Sequence, residues 1–159
     1  MGAANDNVIQ NCAFSHNFQA IFVSGSGNDI QNNSITDSYY QGAVLANMGN
    51  GAFSNNSITN AGMTFGLHRP NFTGDFYTGG IWLINGNAGC TIGNNTVTNI
   101  GNMGIRFNGT GITIERNQVE NTMVNMPTFP SQIFEKRINL HLCGWKIHTA
   151  VKALTTWAS

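Results

Sequence analysis

The chain has 159 residues, with 7 Lys and Arg set against 7 Asp and Glu, so its net charge is zero and only 9% of its residues are charged. That leaves no basic stripe before residue 126 to neutralise phosphates, which argues against nucleic acid as a partner. No run of 18 apolar residues occurs either, which excludes a membrane-spanning helix.

Hydrophobic residues make up 41% of the chain, enough for a core, and 24 Asn and 19 Gly imply many tight corners. The start, Met1 to Asp6, has neither a basic nor an apolar leader segment. A secreted or cell-surface location is therefore expected through a leader lying outside this sequence, in preference to a cytoplasmic one.

From Val8 onward a repeat dominates. Five nine-residue segments align without gaps: VIQNCAFSH from Val8, DIQNNSITD from Asp29, AFSNNSITN from Ala52, TIGNNTVTN from Thr91 and TIERNQVEN from Thr113. The second position is always large and apolar (Ile9, Ile30, Phe53, Ile92, Ile114), as is the seventh (Phe14, Ile35, Ile58, Val97, Val119). The fifth carries Asn33, Asn56, Asn95 and Asn117, with Cys12 in the first copy. The ninth carries His16, Asp37, Asn60, Asn99 and Asn121.

Successive copies start 21, 23, 39 and 22 residues apart, so the long interval is one coil plus an insertion of about 17 residues. After each segment, behind a Gly or Ala, comes a second apolar run. These runs are Ile21 to Val23, Ala43 to Leu45, Ile81 to Ile84 and Ile105 to Phe107. Short alternating runs broken by Asn and Gly predict strands, not helices. One such coil cannot bury its inward side chains alone, but coils stacked ~4.8 Å apart align equivalent positions into columns. The expected fold is all-β, a solenoid of about five coils over residues 5–125. In it the fifth-position Asn turns the chain and passes amide hydrogen bonds along the stack.

The insertion holds His68, Arg69, Asp75 and Tyr77, the densest group of titratable side chains in the repeat region. Loops projecting from solenoids often bind ligands; a surface loop held by its Phe residues is the plainer alternative. From Met126 the Asn pattern ends, Pro127 and Pro130 break the chain, and four of the seven basic residues appear. Residues 126–159 form an irregular or partly helical tail, read either as a cap on the open stack or as a segment foreign to the fold, as after truncation of a longer gene. Cys12, Cys90 and Cys143 are widely spaced and odd in number. They form neither a zinc motif nor a disulfide framework, and buried free thiols are expected.

The pattern x-I-x-N-N-x-[IV]-x-[ND], followed by G-[IV] and another Asn/Gly corner, resembles the right-handed parallel β-helix repeats of the pectate-lyase-like superfamily. The resemblance covers roughly residues 7–123 and is specific for the fold, since the repeated residues are those that build coils. It implies a carbohydrate-active or carbohydrate-binding module, part of an exported enzyme acting on an acidic polysaccharide. A non-catalytic structural or adhesive solenoid is the alternative, and a degenerate fragment without activity of its own a third.

Lyases of this superfamily need a cation to neutralise a uronate carboxylate and a base to take the adjacent proton. Arg69 or Arg106 would supply the first, and His68 or Tyr77 the second. Arg106 interrupts an apolar run and is expected to point outward, its plainer reading being a solvated surface side chain. Glycoside hydrolysis needs two carboxylates, for which Asp37 and Asp75 are the candidate pair; the paired-Asp and Gly-His-Gly elements of polygalacturonases are absent. Calcium stays open as a cofactor where Asp29 and Asp37 approach Asn oxygens, although no clustered carboxylate set specifies it. The recurring Asn-x-Ser/Thr triplets are explained by coil geometry rather than glycosylation. Tyr39, Tyr40, Tyr77 and Trp82 are candidates for stacking on sugars, with Trp82 expected in the core.

Overall fold

A computed structural model describes residues 4–62 and 78–122. His68, Arg69, Asp75 and Tyr77 of the insertion, the tail from residue 126 and Cys143 lie outside the described residues. The first coil contains β1 (Val8–Gln10), β2 (Ala13–Ser15) and β3 (Gln19–Ser24). The second contains β4 (Asp29–Gln31), β5 (Ser34–Ser38) and β6 (Gln41–Ala46), and the third β7 (Ala52–Ser54), β8 (Ser57–Ala61) and β9 (Gly79–Ile84). The fourth has the short β10 (Asn87–Ala88), then β11 (Thr91–Gly93), β12 (Thr96–Ile100) and β13 (Met103–Arg106). The described part ends with β14 (Gly109–Thr110), β15 (Thr113–Glu115) and β16 (Gln118–Thr122).

Equivalent strands of successive coils pair in parallel and build three main sheets. Sheet A runs β1-β4-β7-β11-β15, sheet B β2-β5-β8-β12-β16, and sheet C β3-β6-β9-β13. The solenoid therefore has four complete turns, with a fifth rung in two of its three walls.

The expected columns form. Ile9, Ile30, Phe53, Ile92 and Ile114 are in register along sheet A. Phe14, Ile35, Ile58, Val97 and Val119 are in register along sheet B. Sheet C contributes Ile21, Ala43, Ile81 and Ile105. The side chains of the inner rungs and Ile21 are buried, and Ile9, Phe14, Ile105, Ile114 and Val119 on the outermost rungs are partly so. Each fully buried Ile or Phe contributes about 1.5–3 kcal/mol, so stability accumulates rung by rung.

Two features of the repeat have their cause in the corners. Ten of the fourteen described non-glycine residues with positive φ fall in two columns. One is the fourth repeat position, Asn11, Asn32, Asn55, Asn94 and Arg116, with φ between 53° and 57°. The other is the ninth, His16, Asp37, Asn60, Asn99 and Asn121, between 48° and 57°. The left-handed region suits Asn, Asp and His, whose short polar side chains bond locally.

The turn between sheets A and B is thus made by the fourth residue, and the fifth-position Asn, expected to turn the chain, instead points inward. There the amide ladder forms as anticipated. The Oδ1 of Asn56 accepts from the backbone N–H and the Nδ2 of Asn33 at 2.9 and 3.0 Å. Its Nδ2 donates to Asn95 Oδ1 at 3.2 Å and to the Ile30 carbonyl at 2.9 Å. Asn95 repeats the pattern with Asn117, and the ladder ends where Cys12 N–H donates to Asn33 Oδ1 at 3.0 Å.

The glycine before three of the four sheet C runs has a packing cause; the first run follows Ala20. A Cβ on Gly42 would lie 2.7 Å from Ile58 Cγ2, and one on Gly80 2.6 Å from Val97 Cγ1. Gly104 meets Val119 in the same way. At these three corners the chain passes a sheet B side chain of the next coil so closely that no side chain fits.

Two further expectations are corrected. Cys12 is exposed, because its only column partner is Asn33 of the second coil; Cys90 is buried as expected. Trp82 is not a core residue. Period-2 alternation sends its neighbours Ile81 and Leu83 inward, so Trp82 faces outward in register with Val44 and Arg106.

Candidate functional site

The left-handed residue at the ninth position is the penultimate residue of β5, β8, β12 and β16 and directly follows β2, and it swings the chain toward sheet C. It therefore stacks polar side chains in an outward column. Asn60 Nδ2 donates to Asp37 Oδ1 at 3.0 Å, and His16 Nε2 lies 3.9 Å from Asp37 Oδ2. Both groups remain largely solvated, so this pair contributes little to stability. Its value is as a polar row: Asp37 offers acceptor lone pairs, while Asn60 and His16 offer donors.

Next to this row the chain carries aromatic residues. Tyr39 N–H donates to the Asn17 carbonyl, and Tyr40 N–H to that of Phe18, both at 2.8 Å. These bonds place Tyr40 one rung from Phe18, and because rungs lie ~4.8 Å apart the two rings stack, at 5.1 Å between centroids and 10° between planes. Phe18 is 66% exposed and Tyr39 51%. His16, Asn17, Phe18, Asp37, Tyr39 and Asn60 border an open depression of about 450 Å³. Exposed aromatic faces beside convergent polar groups are what a small polar ring with apolar faces requires.

The sequence-derived candidates are only partly brought together. Arg106 points outward as expected, its guanidinium 5.1 Å from the centroid of the Trp82 ring, a cation–π contact. It lies on the outer side of sheet C, on the third and fourth coils, apart from the groove around Asp37. His68, Arg69, Asp75 and Tyr77 lie outside the described residues. Asp29 and Asp37, considered together for calcium, engage different partners: Asp29 accepts from Gln31 at 3.2 Å, and Asp37 from Asn60. Among the described residues no three His, Cys, Asp or Glu converge on one point.

His16 and Phe18 escaped the sequence reading. Their signal was present, since His16 stands in the ninth-position column above Asp37 and Phe18 is one repeat from Tyr40.

No curated protein and no solved structure matches the chain. The sequence model of the family described as "Right handed beta helix region" matches residues 2–125, which include every described strand. The chain belongs to the right-handed β-helix family.

Proposed function

We propose that the chain is a carbohydrate-binding β-helix module of an exported protein, taking a glycan across the corner between sheets B and C. The observation that carries this reading is the pairing of exposed Phe18 and Tyr39 rings with the Asp37–Asn60–His16 row. Pyranose rings stack their C–H faces on aromatic side chains while their hydroxyls pair with carboxylate and amide groups. Glycoside hydrolysis needs two flanking carboxylates, and among the described residues Asp37 alone supplies one to the groove, so the groove is assigned to binding.

Binding is tested by calorimetry of the whole chain against neutral and acidic polysaccharides. Tyr39→Ala, removing an aromatic contact worth about 1 kcal/mol, is expected to weaken binding roughly fivefold. Equal affinity for wild type, Tyr39→Ala and Asp37→Ala, or no binding at all, removes the proposal.

A lyase acting on an acidic polysaccharide is the second reading, favoured by the outward Arg106. It predicts ultraviolet-absorbing unsaturated uronate from alginate or pectate, lost in Arg106→Ala, Arg69→Ala or His68→Ala. No absorbance from wild type rejects it and leaves a non-catalytic solenoid.

A further inference from the structure

The ninth-position column holds one negative charge that its corner does not require. The turn toward sheet C needs a short polar side chain that tolerates the left-handed region, and Asn60, Asn99 and Asn121 supply it without a carboxylate. Among the five coils the second alone places an acid there, Asp37, at φ 54°. The Asn60 amide, which donates to Asp37 Oδ1 at 3.0 Å, would bond the oxygen of an Asn at position 37 equally well. The charge of Asp37 therefore has no part in building the corner.

Its surroundings leave that charge open to a ligand. Among the described residues Asp37 Oδ2 accepts no hydrogen bond, and His16 Nε2 stands 3.9 Å away, beyond hydrogen-bond reach. The Asp37 side chain is 43% exposed and borders the same depression as the rings of Phe18 and Tyr39. Aromatic ring faces attract cations, and a carboxylate beside them adds to the pull. Over the first three coils the described acids are Asp6, Asp29 and Asp37, with no described Lys or Arg to oppose them. Arg106 and Arg116 stand on the fourth and fifth coils. Two rungs span roughly 10 Å, beyond the Debye length of about 8 Å at physiological salt.

We propose that the groove, given the carbohydrate-binding reading on which this rests, selects a glycan of protonated 2-amino-2-deoxyhexoses over neutral and uronate-bearing ones. Phe18 and Tyr39 take the C–H face of a pyranose ring, and Asp37 Oδ2 accepts from the ammonium group. That contact is charge-assisted, whereas a hydroxyl in the same seat offers a neutral donor. A uronate carboxylate would meet Asp37 as a like charge, which costs affinity. N-acetylation of the amine removes the charge and keeps the sugar ring, so the acetylated polymer is the matched comparison.

The test is calorimetry of the full chain against β-1,4-linked glucosamine oligomers, the same oligomers N-acetylated, and oligogalacturonate, in one buffer that keeps the amine protonated. The amine form is expected to bind roughly tenfold more tightly than the acetylated form, a preference that shrinks with added salt. Asp37→Asn is expected to erase the preference while leaving the melting curve and the affinity for the acetylated oligomer unchanged. Asp29→Asn, which removes an equal charge from sheet A, is expected to leave the preference intact. Equal affinity for the amine and acetylated forms, equal or tighter binding of oligogalacturonate, or a preference that survives Asp37→Asn overturns this selectivity and leaves carbohydrate binding standing. Lysine oligomers that bind as tightly as the amino sugar also overturn it, because the amine alone would then be recognised. Failure of every oligomer to bind removes the selectivity and the carbohydrate-binding reading together.

Discussion

Replacing Asn56 by Ala tests the ladder that holds the coils together. Asn56 is 2% exposed and its amide makes four hydrogen bonds. Truncation leaves the Asn33 backbone N–H without the acceptor it uses at 2.9 Å and removes the donor to the Ile30 carbonyl. Asn33 Nδ2 keeps its bond to the Ile9 carbonyl, and Asn95 Oδ1 keeps the Asn56 N–H, so two groups are stranded rather than four. At ~1–3 kcal/mol for each buried group left unpaired, the cost is about 2–6 kcal/mol, read as a lower urea midpoint at unchanged slope. The neighbouring Asn55 is the control: it is exposed and left-handed, with φ 55°, so Asn55→Gly is expected to change stability by less than about 0.5 kcal/mol. A loss below about 1 kcal/mol for Asn56→Ala, or equal losses at the two positions, refutes the reasoning.

Gly80→Ala is expected to destabilise by about 1–3 kcal/mol, since the added methyl meets Val97 Cγ1 at 2.6 Å and the Gly104 carbonyl oxygen; an unchanged melting temperature would show that the corner relaxes freely. Arg116 holds φ 53° in a column otherwise made of Asn, so Arg116→Asn is expected to stabilise by about 0.5–1 kcal/mol in chemical denaturation, and a destabilisation would contradict this. Burial pushes the Cys90 thiol from 9.0 up to about 11. Because its folded pKa is raised, the stability it supports is complete below pH 9 and declines as pH rises toward 11. Alkylation at pH 8 should label exposed Cys12 quickly and Cys90 only on unfolding, as peptide mass mapping would show. Equal labelling rates in the folded protein would be the contrary result.

How much of this was legible beforehand follows from what repetition can encode. The columns through Ile30 and Ile58 and the amide ladder through Asn56 were readable, because a one-coil shift maps each residue onto its own kind, and parallel stacking is the arrangement that buries all of them. The Gly before three of the four sheet C runs was visible as a pattern, but its cause, the approach of Ile58 and Val97, lies between two different walls and leaves no periodic trace. Division of labour between the paired Asn residues was likewise hidden, since either residue type suits a left-handed turn and only the backbone dihedrals separate the corner from the ladder.

Composition and period alone determined that this chain is an all-β solenoid, where its coils begin, and which side chains fill its interior. Tertiary structure decided which outward residues meet. His16, Asp37 and Asn60 form one row, Phe18 lies against Tyr40, and Trp82 supports Arg106, because neighbours on a solenoid's surface are set by coil register and corner angle. Burial repeats with every coil and marks the sequence, whereas a binding surface draws on a few residues from different coils that need share no pattern.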